Sequence, residues 1–136
     1  MKKILGLSVA LIIVLMIPTM SYGSMGQEER IQALNDTMAM SLDILKNLNT
    51  VYTIQPDMMN DKFVIMAYQY YTIYITAYEM QRIENDETEI YVQVYPTDYK
   101  VHHQLINEAW EKYLDGTTTK ESFLSLLMNT VAVYLE

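Results

Sequence analysis

His102 and His103 stand side by side and are the only histidines in the chain. On a helix, Asp98 would share a face with His102, and His103 with Asn107, because residues four apart lie one turn above each other. Two ligands on one face can begin a metal site. A stable site needs three or four, and the chain offers neither a third histidine nor an H-E-x-x-H stretch. The acidic run Glu84-Asn85-Asp86-Glu87-Thr88-Glu89 lacks the glycine and alternating oxygen ligands of an EF-hand loop, so it reads as a solvated connector. No metal and no cofactor is expected.

Nucleophilic and acid–base chemistry have little to work with. With no Cys there is no thiolate, no Cys-held metal or cluster and no disulfide. There is no G-x-S-x-G elbow and no glycine-rich phosphate loop, and glycine totals only 4 residues. Ser41, Ser122 and Ser125 fall on segments with helical spacing, with no base argued beside them. The carboxylate pairs Asp57/Asp61 and Glu108/Glu111 recur at helical spacing, as they do on any solvated helix face. General acid–base work needs a buried member with a shifted pKa. The chain therefore reads as non-catalytic, with a small hydrolase or a metal protein the least favoured alternatives.

Tyrosine is the unusual residue, at 12 of 136 positions. Five crowd into one short stretch: Tyr68, Tyr70, Tyr71, Tyr74 and Tyr78. Tyr68, Tyr71 and Tyr78 share one line at helical spacing and form the candidate surface for a ligand or partner. Tyrosine combines a large apolar area with a hydroxyl and suits interfaces. The competing reading is core, since such a stripe usually packs inside. The methionines fit gap-filling in a core or an adaptable binding surface.

The elements that must carry these residues follow from composition and punctuation. At 136 residues, 51% of them hydrophobic, the chain is one domain in size and too apolar to be disordered. Lys and Arg number 9 against 17 Asp and Glu, a net charge of −8, which argues against nucleic acid as a partner. At the N-terminus, Met1-Lys2-Lys3 is a positive start and Ile4 to Ile17 is an uncharged, mainly apolar run. Pro18 then breaks it, and Ser21-Tyr22-Gly23 offers small residues where a signal peptidase reads. Residues 1–23 are expected to be a signal peptide cleaved after Gly23. The alternative is an uncleaved anchor, since the run to Tyr22 approaches the roughly 20 residues of a spanning helix. Either way Lys2 and Lys3 stay cytoplasmic and the rest of the chain lies outside. The membrane is then a partner only through that segment. Cleavage would take away two lysines and move the net charge from −8 to −10.

Pro56, Pro96 and Gly116 divide the remainder into four segments, because proline and glycine stop helices. The first, about 28–54, carries Ile31, Leu34, Met38, Leu45, Leu48 and Tyr52, with a gap at Ser41 that Leu42 is expected to cover. The second, about 57–83, carries two apolar stripes. Met59, Phe63, Met66, Tyr70, Ile73, Ala77 and Met80 make one, and Val64, Tyr68, Tyr71, Ile75 and Tyr78 the other. Lys62, Gln69, Thr72, Thr76 and Glu79 make a narrow polar line. Strand propensity in Tyr70–Ile75 competes, but unbroken 3,4 spacing over more than five turns favours helix. Ile90–Tyr95 suits a short extended segment near 89–95, with a hairpin onto the second segment as the minority alternative. The third, about 97–115, lines up Tyr99, His102, Ile106, Ala109 and Tyr113, broadened by Leu105 and Trp110, and stops at Asp115-Gly116. The fourth opens at Thr118-Thr119-Lys120-Glu121, a capping-box pattern, and carries Leu124, Leu127, Val131 and Tyr134.

The expected fold is all-α: a four-helix bundle of two long and two shorter helices in a single domain, 24–136, behind the N-terminal segment. The expected function is a secreted or extracytoplasmic, non-catalytic binding or interaction protein whose partner is an unknown protein or small molecule. The alternative is a small-ligand carrier or sensor built on a Tyr-rich cavity. An interaction module should self-associate or show an outer groove, whereas a carrier should enclose a pocket of several hundred cubic ångströms.

Overall fold

The computed structural model describes residues 24–86 and 99–135, and the protein is all-α. Among the described residues there are four helices: α1 (Gln27–Ile54), α2 (Asp61–Asp86), α3 (Tyr99–Leu114) and α4 (Lys120–Leu135). A 3₁₀ turn, Pro56–Met58, separates α1 from α2. The long pair has 28 and 26 residues and the short pair 16 each. The segment 1–23 and the extended stretch near 89–95 lie outside the described residues.

α1 opens with Glu28 and Glu29 in its first turn, where acids oppose the positive end of the helix dipole. Leu34, Met38, Leu45 and Leu48 are buried along the expected line. The gap in that line is not covered by Leu42, which is only half-buried. Ser41 itself is fully buried and donates its hydroxyl to the Thr37 carbonyl at 2.7 Å. Thr37, also buried, donates to Ala33 at 2.9 Å. A hydroxyl can sit in an apolar seam when its own backbone, one turn back, accepts the hydrogen.

α2 begins at Asp61 rather than near 57. Pro56 fixes a backbone angle suited to a tight turn, and the Met59 N–H closes that turn on the Pro56 carbonyl at 3.3 Å. Asn60 then caps the helix: its Oδ1 accepts the Phe63 N–H at 2.9 Å. Met59 is buried from the turn rather than from the helix. Of the two apolar stripes, the tyrosine-bearing one goes deeper. Val64, Tyr68, Tyr71, Ile75 and Tyr78 are all buried, joined by Ala67 and Tyr74. In the other stripe Phe63, Ile73 and Ala77 are buried, whereas Met66 is 38% exposed.

The contacts gather the chain into two compact units. Among the described residues, the first comprises 24–43 and 71–86. Within it, the start of α1 runs antiparallel to the end of α2. Arg30 meets the Glu84 carboxylate with two guanidinium nitrogens, at 2.8 and 3.0 Å, and donates to the Met25 carbonyl at 2.6 Å. Gln27 donates to the Glu84 carbonyl at 2.6 Å, and one helical turn further in Gln81 donates to Asn35. Leu34, Tyr71, Tyr74 and Ala77 of this unit are buried.

The second unit comprises 44–70 and 99–135. α3 and α4 form a hairpin. Gly116 ends α3 with φ +76, a left-handed angle that costs other residues steric strain. The Thr117 and Thr118 N–H groups return to the Lys112 carbonyl at 2.8 and 3.2 Å. α4 is capped by Thr119, one residue later than the capping box expected: its Oγ1 accepts the Ser122 N–H at 3.1 Å. Glu121 therefore sits one position too early to complete the box. Phe123, Leu124, Leu127, Met128 and Val131 of α4 are buried, together with Ile106 and Trp110 of α3.

Candidate functional site

The second unit holds an aromatic cluster built from three helices. Tyr68 of α2 stacks on Trp110 of α3 with ring centroids 4.2 Å apart and planes 9° from parallel. Phe123 of α4 lies 5.5 Å from Trp110 and 5.7 Å from Tyr113, with its ring stacked on the latter. Aromatic pairs of this kind add about 0.5–1.5 kcal/mol each beyond the area they bury. Helical spacing assembles the cluster. Trp110 and Tyr113 are three apart on α3, and Phe123 sits in the first turn of α4, opposite them across the hairpin.

Hydroxyl tips leave this cluster for polar partners. Tyr68 donates to Asn107 Oδ1 at 2.8 Å, and Asn107 Nδ2 lies 3.2 Å from His103 Nε2. The four-residue spacing of His103 and Asn107 is thus taken up by a hydrogen bond between the two. Tyr113 donates to Asp61 at 2.6 Å. Burial first, then the bond to Asp61 and its negative charge, push the Tyr113 phenol up to about 12. The Trp110 indole N–H is buried and finds no acceptor among the described residues.

The other residues flagged by type occupy ordinary structural places. Ser41 is bonded to its own helix, Ser122 belongs to the α4 cap, and Ser125 is exposed. Asp57 lies in the 3₁₀ turn and Asp61 accepts from Tyr113. His102 and His103 are half-buried on α3, and Asp98 lies outside the described residues. Among the described residues no group of three or more His, Cys, Asp or Glu is arranged to hold a metal, and no helix is long and apolar enough to cross a membrane.

The structure does not bring Tyr68, Tyr71 and Tyr78 to the surface. All three are buried, so their rings meet protein rather than solvent, and each has a polar or ring contact. Tyr71 and Tyr78 belong to the first unit and Tyr68 to the second.

The surface features that spacing did not flag are on the second unit. The outer face of α3 carries Val101 and Leu105, 57% and 46% exposed, followed by Glu108 and Lys112. These four step 4, 3, 4, the spacing of a helix-pairing seam. On α4, Ser122, Leu126, Asn129 and Val133 step the same way, with Val133 41% exposed. Between the two helices lies an open groove of about 240 Å³, lined by Leu105, Ala109, Lys112, Ser122, Phe123 and Leu126 among others. A second open groove, about 320 Å³, lies where α1 ends and α4 begins, between Tyr52, Pro56, Met59 and Leu124, with Asp57, Lys120 and Glu121 at its polar side. Leu105 was expected to broaden the core face of its helix. It faces outward because the core line runs through Ile106 and Trp110, one residue further round. The 4,3,4 step from Val101 to Lys112 was a signal available in the sequence, hidden because two of its four members are charged. Compared with protein-family models, curated proteins and solved structures, the chain matches none.

Proposed function

We propose that this is an exported, non-catalytic helical interaction protein, with residues 24–136 as its single bundled domain and the outer face of the α3–α4 hairpin as its docking surface. One observation carries the docking surface: exposed Val101, Leu105 and Val133 stand on two seams of pairing spacing, and between those helices lies an open groove lined in part by Phe123 of the aromatic cluster. Such a face suits an amphipathic helix laid into a groove, read through anchors one turn apart. The rigid ring stack behind it holds the two seams in register. Export rests on residues 1–23, with their positive start, apolar run and Ser21-Tyr22-Gly23 site. N-terminal sequencing of the extracytoplasmic protein should return Ser24, and a result of Met1 replaces cleavage by an anchor.

Docking is tested by placing a photo-crosslinking side chain at Leu105 and, separately, at exposed Asp36 of α1 as control. Leu105 should give discrete protein adducts and Asp36 none. Absence of an adduct at Leu105 removes the docking face. The 320 Å³ groove has the volume of a small-molecule site but is open rather than enclosed, so it does not favour the carrier reading.

A further inference from the structure

The seam on α3 contains both an acid and a base, one turn apart. Glu108 is exposed and holds only the Gln104 amide, at 3.1 Å. Lys112 is exposed and makes no ion pair among the described residues. A two-fold axis passing between these positions would lay α3 of one molecule antiparallel to α3 of another. Glu108 of each would meet Lys112 of the other, giving two opposite-charge pairs from one element. A closed two-fold interface has to be self-complementary in this way.

The charge map points to the same occupant. In the first unit the described residues include two basic side chains, Arg30 and Arg82, against seven acidic ones. Among the described residues of the second unit five basic side chains stand against six acidic. Of the eleven large apolar side chains exposed among the described residues, nine are in the second unit, Met40 and Ile83 being the exceptions. A cationic foreign partner would be drawn to the acidic first unit. Two copies of an acidic chain meet with least repulsion through the less acidic unit, which among the described residues also exposes more large apolar side chains.

Resting on the docking face proposed above, we infer that its partner is a second copy of this chain, joined through the α3–α4 seams in a two-fold dimer. Leu105 and Leu126, which line the same groove as Glu108 and Lys112, supply the apolar contact nearest that axis, and the Glu108–Lys112 pairs fix register and direction. Charge pairs at the edge of such an interface act more on specificity than on raw affinity.

The test is sedimentation velocity on the purified full chain, with charge reversals. The wild type should be a dimer at micromolar concentration. Glu108→Lys should set lysine against Lys112 twice and weaken association by about tenfold, as should Lys112→Glu. The double variant E108K/K112E restores opposite pairs and should return close to the wild type. Leu105→Asp should give a monomer with an unchanged helical spectrum, since Leu105 is outside the core. Association through the apolar N-terminal run would ignore all four substitutions, and that result overturns the inference. A monomeric wild type whose Leu105 crosslinks to a different protein overturns self-association and keeps the docking face. A monomer with no adduct overturns both, whereas an adduct of twice the chain mass supports both.

Discussion

Tyr113 is held by effects that all act in one direction. Partial burial disfavours the phenolate, and the hydrogen bond to Asp61 requires the proton that ionisation would remove. Its folded-state pKa of about 12 lies above the ordinary 10, so the fold favours the neutral form. The stability this confers is complete below about pH 10 and is lost as the pH rises through 12. Phenolate absorbance of the wild type, minus that of Tyr113→Phe, should therefore show one tyrosine titrating near 12. Asp61→Asn should lower that value without returning it to 10, because burial, the larger cause, remains. A return all the way to 10 would make Asp61 the principal cause and burial a minor one. The same cluster assigns a different role to Trp110. Its N–H has no acceptor among the described residues, so what it contributes is ring area against Tyr68 and Phe123. As the only tryptophan, it makes intrinsic fluorescence a local reporter of this cluster.

At the scale of the helices, α2 decides how the apolar stripes are weighted. Ile73 is buried beside Tyr71 and Tyr74, whereas Met66 on the same sequence stripe is partly exposed. Ile73→Ala should cost about 2–5 kcal/mol in chemical denaturation, through lost transfer energy and the cavity left behind. Met66→Ala should cost less than about 1 kcal/mol. Equal costs would mean that both sit in the core. Helix ends were legible where a single residue type has one use. The Asp115-Gly116 stop is such a place: nothing lies within 4 Å of a Cβ built on Gly116, so its φ alone demands glycine. Gly116→Ala should then cost about 1–2 kcal/mol, the price of a left-handed alanine, with no steric contribution from neighbours. A smaller loss would show that the turn relaxes to another shape. The start of α2 was less legible, because Pro56 and Asn60 are both helix-start signals and spacing cannot rank them. Ser41 was misread because a polar residue in a heptad seam looks like a gap, although a hydroxyl bonded to Thr37 packs as an apolar group does. The outward turn of Leu105 was missed for the opposite reason: a leucine next to a core line looks like core.

Over the whole molecule, charge and apolar exposure are divided between the two units, and this division was invisible to counts taken over the entire chain. A net charge of −8 describes an acidic protein. It conceals that, among the described residues, most of the excess acid lies in the first unit and most of the exposed large apolar side chains in the second. At neutral pH, mutual repulsion between copies of an acidic chain opposes association. As the pH falls toward the isoelectric point, about 4.6, that repulsion vanishes and apolar surface decides the outcome. Turbidity should therefore rise as the pH approaches 4.6. Leu105→Asp should suppress it, because the aspartate removes the centre of the apolar seam on α3. Ile83→Asp, in the first unit, adds the same charge at a more exposed isoleucine and should protect much less. The pair separates surface chemistry from net charge, since both variants carry one further acid. Equal protection by the two would mean that net charge alone governs solubility, and the proposed docking role of the α3–α4 face would lose this support.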